Sequence, residues 1–255
     1  MAKDNKLYLV IVLLCMTALI VTVVVYYIYS LTTSYSESNI ILPYNYMNTE
    51  LSFNHDAIFE HDNCEMGITY LYWCYIKSWD YKYEKLKPIL NKGSKLRQNY
   101  SNDELMNVTT SNPAIFLNAK KPTMIFAFGN NDNEGPYEIT NIPIKKWFHI
   151  AVTVYDNMVE LYMDGHLMET IYFTKSLSIN YSPLHIAELG GYDGFISKLA
   201  VFASVLDSGI IQQYYLAGPG DVDLNACPSI KPNKNTQAHN TKQYTTHKIT
   251  LSPSV

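Results

Sequence analysis

The stretch that decides the fold is WFHIAVTVYDNMVELYMDGHLMETIYF, residues 147–173. Phe148, Ile150, Val152 and Val154 alternate with His149, Ala151 and Thr153, the period-2 pattern of a strand with two unlike faces. Asp156-Asn157 turns the chain, and Val159, Leu161 and Met163 resume the alternation. Asp164-Gly165 is a type I′ hairpin signal, because both central positions of that turn need positive φ. Asp164 is therefore read as a turn former. A two-residue turn there sets Glu160 opposite Glu169, an unfavourable like-charge pair, which a bulge or a longer turn would relieve.

Working outward, Ile68–Ile76 is apolar at nearly every position, which suits a strand covered on both faces. Cys74 alternates there with Tyr70, Tyr72 and Ile76 and reads as a buried free thiol. Residues 91–113 read as a long loop, and Ala114–Leu117 and Thr123–Phe128 as short strands. Residues 129–136, GNNDNEGP, are a dense turn cluster. Phe195–Phe202 is a further strand after Gly190-Gly191-Tyr192-Asp193-Gly194. Leu206–Leu216 is a short helix with Asp207 or Ser208 near its N-cap, ended by Gly218-Pro219-Gly220. Short strands with turn signals every 8–12 residues, in a chain holding 22 tyrosines, predict an all-β sandwich.

The N-terminal quarter has another character. From Leu7 to Leu31 no residue is charged, and Tyr8 and Tyr26, Tyr27 and Tyr29 mark the two ends. A helix needs about 20 apolar residues to cross a bilayer core, so this run is expected to be a single-pass signal-anchor rather than a cleaved signal peptide. Lys3 and Lys6 precede it, which predicts a cytosolic N-terminus with the bulk external or lumenal. The expected organisation is a tail (1–6), a transmembrane helix (7–31), a Ser/Thr/Asn/Tyr-rich stalk (32–50), a β domain (51–222) and a polar tail (223–255) too poor in apolar groups to offset ordering entropy. Asn99, Asn107 and Asn180 head N-glycosylation sequons. Of four cysteines, Cys15 lies in the anchor, and Cys64 and Cys227 flank the domain's ends and are candidates to pair.

A net charge of −4 and the lack of a basic cluster exclude a nucleic-acid partner. No Cys-x-x-Cys or His-x-x-x-His spacing suggests zinc.

Trp147–Val152 followed by Glu160–Leu167 resembles the central hairpin of laminin-G-like, concanavalin A-like jelly rolls. Phe195-Ile196, Leu199–Phe202, Leu206 and the short helix resemble that superfamily's closing strand and exit, and residues 72–93 its opening strand. The likeness covers residues 51–220, and its wording is closest to membrane-anchored lectin-like proteins of large double-stranded DNA viruses. It implies a two-sheet antiparallel jelly roll that serves as a glycan-binding module, an adhesion domain or a glycanase, since one fold hosts all three.

Glycanases of this fold carry a Glu-x-Asp-x-x-Glu cluster whose acids share one face of the cleft about 5 Å apart. Glu134, Glu138, Glu160 and Asp164 do not have that spacing, so the chain is expected not to be an enzyme. Some laminin-G-like domains bind calcium through rim aspartates, and Asp132 and Asp193 are the candidates, beside Asn130, Asn131 and Asn133. Their other reading is as turn formers. Glycan binding needs an exposed ring for the sugar's apolar face and polar groups for its hydroxyls. Trp79, Tyr81, Tyr83, Asn131, Tyr192 and Asp193 are the candidates, with Trp73 and Trp147 expected in the core and His149 as a strand residue. The expected function is membrane-anchored, non-catalytic recognition of a glycan or protein at a virion or cell surface. The alternatives are a structural role packing against viral capsid proteins, or a degenerate glycanase.

Overall fold

The structure, a computed structural model, describes residues 2–33, 39–59, 67–106, 111–129, 136–177, 180–222 and 224. It divides into two units, residues 1–38 and 39–255.

The first unit holds one helix, α1 (Ala2–Thr33). Its described side chains run from 11 to 27, about 25 Å of helix against a hydrocarbon core of about 30 Å. Among the described residues no helix is long and apolar enough to cross a membrane. The expected single-pass topology, with its cytosolic N-terminus, is therefore not supported.

The second unit is a sandwich of two six-stranded antiparallel sheets. Its elements are β1 (Ile40–Tyr46), β2 (Leu51–Phe53), α2 (His55–Phe59), β3 (Ile68–Ser78), β4 (Lys87–Gly93), α3 (Asn102–Met106), β5 (Ser111–Leu117), β6 (Thr123–Ala127), β7 (Tyr137–Thr140), β8 (Trp147–Tyr155), β9 (Met158–Met163), β10 (His166–Tyr172), β11 (Leu184–Ile186), β12 (Asp193–Phe202) and α4 (Ser208–Leu216). Sheet A runs β1-β12-β3-β8-β9-β10 and sheet B runs β2-β11-β4-β5-β6-β7.

The hairpin of residues 147–173 forms as read. Asp164 and Gly165 take φ of 49° and 76°, and the Asp164 carboxylate accepts the His149 backbone N–H at 2.8 Å. A bulge between Leu167 and Glu169 sets Glu160 opposite Thr170 and Glu169 opposite Leu161. The like-charge pair is thereby avoided, and Glu160 accepts the Tyr162 hydroxyl at 2.7 Å.

One apolar core lies between the sheets, built from Tyr70, Tyr72, Cys74 and Ile76 of β3, Phe148, Ile150 and Val152 of β8, and Ile115, Leu117, Met124 and Phe126 facing them from sheet B. Cys74 is a buried free thiol, pushed up to about 12 by burial.

The outer faces carry smaller cores. On sheet A, Ile211 of α4 covers Leu71, Ala151, Tyr162 and Ala200. Asp207 is the N-cap, accepting the Ile210 N–H at 3.0 Å. Trp73 is buried as expected, stacked on Tyr215 with centroids 5.7 Å apart. On sheet B, the 94–106 excursion places Leu96 and Leu105 over Ala114, Phe116, Ile125 and Ala127. Glu188 fastens it, accepting the Leu96 N–H at 2.9 Å and the Asn91 amide at 2.7 Å.

Two organisational readings are corrected. The expected stalk, 32–50, contains β1, an edge strand of sheet A paired with β12. Its segment Ile40–Tyr46, interrupted by Pro43, becomes strand by pairing with a partner far along the chain. The expected loop 91–113 holds the end of β4, all of α3 and the start of β5. Cys64, Cys227 and nearly all of the polar tail lie outside the described residues.

Candidate functional site

β3 has two kinds of face. Tyr70, Tyr72, Cys74 and Ile76 enter the main core, so Leu71, Trp73, Tyr75 and Lys77 point outward. Near α4 that outer face is covered. Further along it is not, and there the sheet register sets four aromatics in one row. Trp147 of β8 is opposite Tyr75 of β3, Tyr75 is opposite Phe195 of β12, and Phe195 is opposite Tyr46 of β1. The ring centroids are 5.4 Å apart for Tyr75–Trp147, 6.3 Å for Tyr75–Phe195 and 5.1 Å for Tyr46–Phe195. Tyr44 stacks on Phe195 at 5.4 Å with an interplanar angle of 25°.

Phe195 is fully buried beneath its neighbours, while Tyr44, Tyr46, Tyr75 and Trp147 are half-buried and keep ring surface in solvent. Lys77 extends over this row, its Nζ 4.6 Å from the Phe195 centroid and 5.5 Å from that of Tyr46, a cation–π arrangement. Asp193 borders the row and accepts the Tyr46 hydroxyl at 2.6 Å. Cross-strand aromatic pairs stabilise a sheet in any protein. What distinguishes this row is its exposure: an apolar, planar shelf with a cation and a carboxylate at its margin can hold a ligand with one flat apolar face and polar substituents.

The residues expected from the sequence to bind ligand are distributed differently. Asp193 is on the shelf margin. Tyr192 is fully buried, its hydroxyl donating to the Phe195 carbonyl at 2.8 Å and lying 3.5 Å from the Cys74 sulfur. It packs the interior and offers nothing to a ligand. Gly191 explains the tight path there, since a Cβ on it would come 2.1 Å from the Met47 carbonyl. Trp79 packs against the main core with the Lys87 ammonium 5.4 Å from its ring, and its indole N–H is buried without a partner. Tyr81 donates its hydroxyl to the Gly190 carbonyl at 3.1 Å and Lys82 donates to the Leu189 carbonyl, so the 79–84 turn is fastened to the 188–191 turn. Tyr83 is exposed. Asn131 lies outside the described residues.

Trp147, expected in the core, is instead a half-exposed shelf residue. Tyr44, Tyr46, Tyr75 and Lys77 were not expected in a site at all. For Tyr75 and Lys77 the signal was present in the outward parity of β3. For Tyr44 and Tyr46 it required knowing that their segment is a strand.

His149 is a buried strand residue whose ring lies 5.3 Å from Trp73. Burial pulls it down to about 3, so it stays neutral, and its Nδ1 has no hydrogen-bond partner. Of the calcium candidates, Asp132 is outside the described residues and Asp193 is engaged by Tyr46. Among the described residues no group of three or more His, Cys, Asp or Glu side chains is arranged to hold a metal ion. Of the sequon asparagines, Asn99 is exposed, Asn180 is half-buried with its side-chain oxygen accepting the Ser182 N–H at 2.9 Å, and Asn107 is not described.

A sequence model of the concanavalin A-like lectin/glucanases superfamily matches residues 59–212. No curated protein matches the sequence. Solved structures similar to the chain include the binding domain of botulinum neurotoxin DC in complex with rat synaptotagmin II, 16% identical, with a TM-score of 0.48 and covering 66% of this chain and 40% of that one. The receptor binding domain of the botulinum neurotoxin C/D mosaic serotype is 12% identical with a TM-score of 0.49, and the shares covered are again 66% and 40%. The botulinum neurotoxin serotype D ligand binding domain in complex with N-acetylneuraminic acid is 12% identical with a TM-score of 0.48, at 66% and 40%. The chain thus spans about 40% of the length of these structures.

Proposed function

Since this chain belongs to the concanavalin A-like lectin/glucanases superfamily, we propose that it is a lectin-like recognition module whose ligand is a glycan held on the shelf of Tyr44, Tyr46, Tyr75 and Trp147. The observation that carries this is the in-register row of rings left half-exposed on the outer face of sheet A. A pyranose presents axial C–H groups on one face and hydroxyls around its edge. Ring faces receive the first, and the Asp193 carboxylate and Lys77 ammonium the second.

Binding without turnover fits the acids of the hairpin, which are engaged locally: Glu160 by Tyr162, Asp164 by the His149 backbone. The test is a glycan array probed with the purified full chain, repeated with Trp147→Ala and Tyr75→Ala. Binding to a glycan class that both substitutions abolish is expected. Binding that survives both would remove the shelf from the ligand's path, and release of reducing sugar would make the protein a glycanase.

A second reading has its own observation. β10 is an edge strand with Leu167, Met168 and Tyr172 exposed, an apolar strip suited to packing against another protein, as in a viral capsid. Failure to bind any glycan, with stoichiometric recovery in particles, would favour it.

A further inference from the structure

We propose that the ligand of the shelf is an anionic oligosaccharide, whose carboxylate or sulfate groups meet Lys77, Lys145 and Lys146. This deepens the shelf reading above and rests on it.

Three lysines flank the aromatic row, Lys77 over its Phe195–Tyr46 end and Lys145 and Lys146 beside its Trp147 end. Lys77 lies over the rings of Phe195 and Tyr46. Lys145 donates its backbone N–H to the Ile76 carbonyl at 2.7 Å, which brings the 144–146 turn beside the residue that precedes Lys77. Lys145 and Lys146 are exposed and lead directly into Trp147. Among the described residues none of the three is ion-paired, in contrast to Lys95, which pairs with Glu50, and Lys120, which pairs with Glu84. The carboxylate on the shelf margin, Asp193, accepts the Tyr46 hydroxyl through one oxygen and is outnumbered by the three lysines. A local excess of cations in a chain of net charge −4 does not follow from composition. It produces a positive field over an apolar plane, which concentrates anions bearing an apolar face.

The dimensions favour several sugar units. Strands lie about 4.8 Å apart, so the row from β8 through β3 and β12 to β1 covers about 14 Å. A single monosaccharide would leave most of the rings bare, while a short chain reaches both Trp147 and Tyr46.

The experiment is calorimetric titration of the full chain with a heparin-derived hexasaccharide, a hexagalacturonate, maltohexaose and a hexaglutamate peptide, at low and raised salt. Lys77→Met/Lys145→Met/Lys146→Met and Trp147→Ala are run alongside, with circular dichroism confirming that each folds. At least one anionic saccharide is expected to bind about tenfold or more tightly than maltohexaose and to weaken with salt. The triple lysine variant should lose that preference, and Trp147→Ala should lose saccharide binding altogether. The sulfated and uronate arms identify which acid group is read. Equal binding of neutral and anionic saccharides, or an anionic preference that survives in the triple variant, overturns this inference and leaves the shelf standing. Hexaglutamate binding as tightly as the saccharides also overturns it, in favour of an acidic peptide. No binding by any saccharide overturns both this inference and the reading beneath it.

Discussion

The outer faces of the two sheets solve one problem in two ways. Each sheet places a second row of large side chains away from the main core, and each must cover it or leave it wet. Sheet B covers its row with the 94–106 excursion, whose Leu96 and Leu105 close over Phe116, Ile125, Ala114 and Ala127. Sheet A covers half of its row with α4 and leaves the other half as the Tyr44–Tyr46–Tyr75–Trp147 shelf. The chemistry of the two rows differs accordingly. The covered one is aliphatic apart from Phe116. The open one is made of tyrosine and tryptophan around the buried Phe195, with ring surface left half-exposed. Residue type alone does not mark the open face, since Trp73 and Tyr162 are buried under α4 on the same sheet; the shelf is marked by rings that stay half-exposed.

That contrast is broken most forcefully at Phe116. It is fully buried on the covered face, so Phe116→Ala should cost about 3–5 kcal/mol in urea unfolding of the full chain. Trp147→Ala, on the open face, should cost about 1 kcal/mol or less while abolishing ligand binding. Equal losses at the two positions would mean that the shelf is ordinary core.

The cover itself depends on one carboxylate. Glu188 is buried, and burial raises its pKa, yet it accepts from both the Leu96 N–H and the Asn91 amide. Glu188→Ala would leave the Leu96 N–H buried and unpaired and the Asn91 amide with only the Ser94 carbonyl at 3.0 Å, a loss on the order of 2–3 kcal/mol. Hydrogen exchange should show the Leu96 amide opening first, with shelf binding unchanged. Retained protection at Leu96 would mean that the excursion is held by its leucines alone.

Much of sheet A was legible because its patterns are local. The 147–173 hairpin, the two-sided burial of β3 and the capped α4 each follow from neighbours in the chain. β1 was not legible. Ile40–Tyr46 contains Pro43 and two tyrosines, and only pairing with β12 makes it a strand. The shelf inherits that gap, since half of it stands on β1. The 79–84 turn misled for the converse reason. Trp79, Tyr81 and Tyr83 look like a binding cluster in sequence, but Trp79 folds inward and Tyr81 ties two turns together. Whether a ring points in or out after a strand ends depends on the turn, where period-2 alternation gives no guide.

Lys87 extends the comparison to charge. It is fully buried on β4, held by the Ala119 carbonyl at 3.3 Å, those of Lys85 and Asn118 at 3.4 Å, and the face of Trp79. These are weak contacts for an ammonium, and burial lowers its pKa to about 8. In the unfolded chain it titrates near 10.4. Between those values the unfolded state binds more protons, so this group's contribution to stability rises with pH from about 8 to about 10.4. Below that window both states are charged and the full burial cost stands. Lys87→Met should therefore stabilise the protein at pH 7, by on the order of 1–2 kcal/mol. The gap in Tm between variant and parent should narrow as pH rises through the window. A gap that stays constant with pH would mean that burial does not lower the pKa of this ammonium in the folded state.

Lys77 is the counterpart on the open face and should have the smallest effect on stability. It is half-exposed, its contacts are ring faces, and no buried carbonyl depends on it. Lys77→Met keeps the methylene stem over Phe195 and removes only the charge, so unfolding should change by less than about 0.5 kcal/mol. Its effect belongs to the ligand: weaker saccharide binding, with a larger loss for an anionic saccharide than for a neutral one. If Lys77→Met instead destabilised the fold as much as Glu188→Ala, its ammonium would be holding the four strands of sheet A together, and the shelf would be a structural seam rather than a surface for recognition.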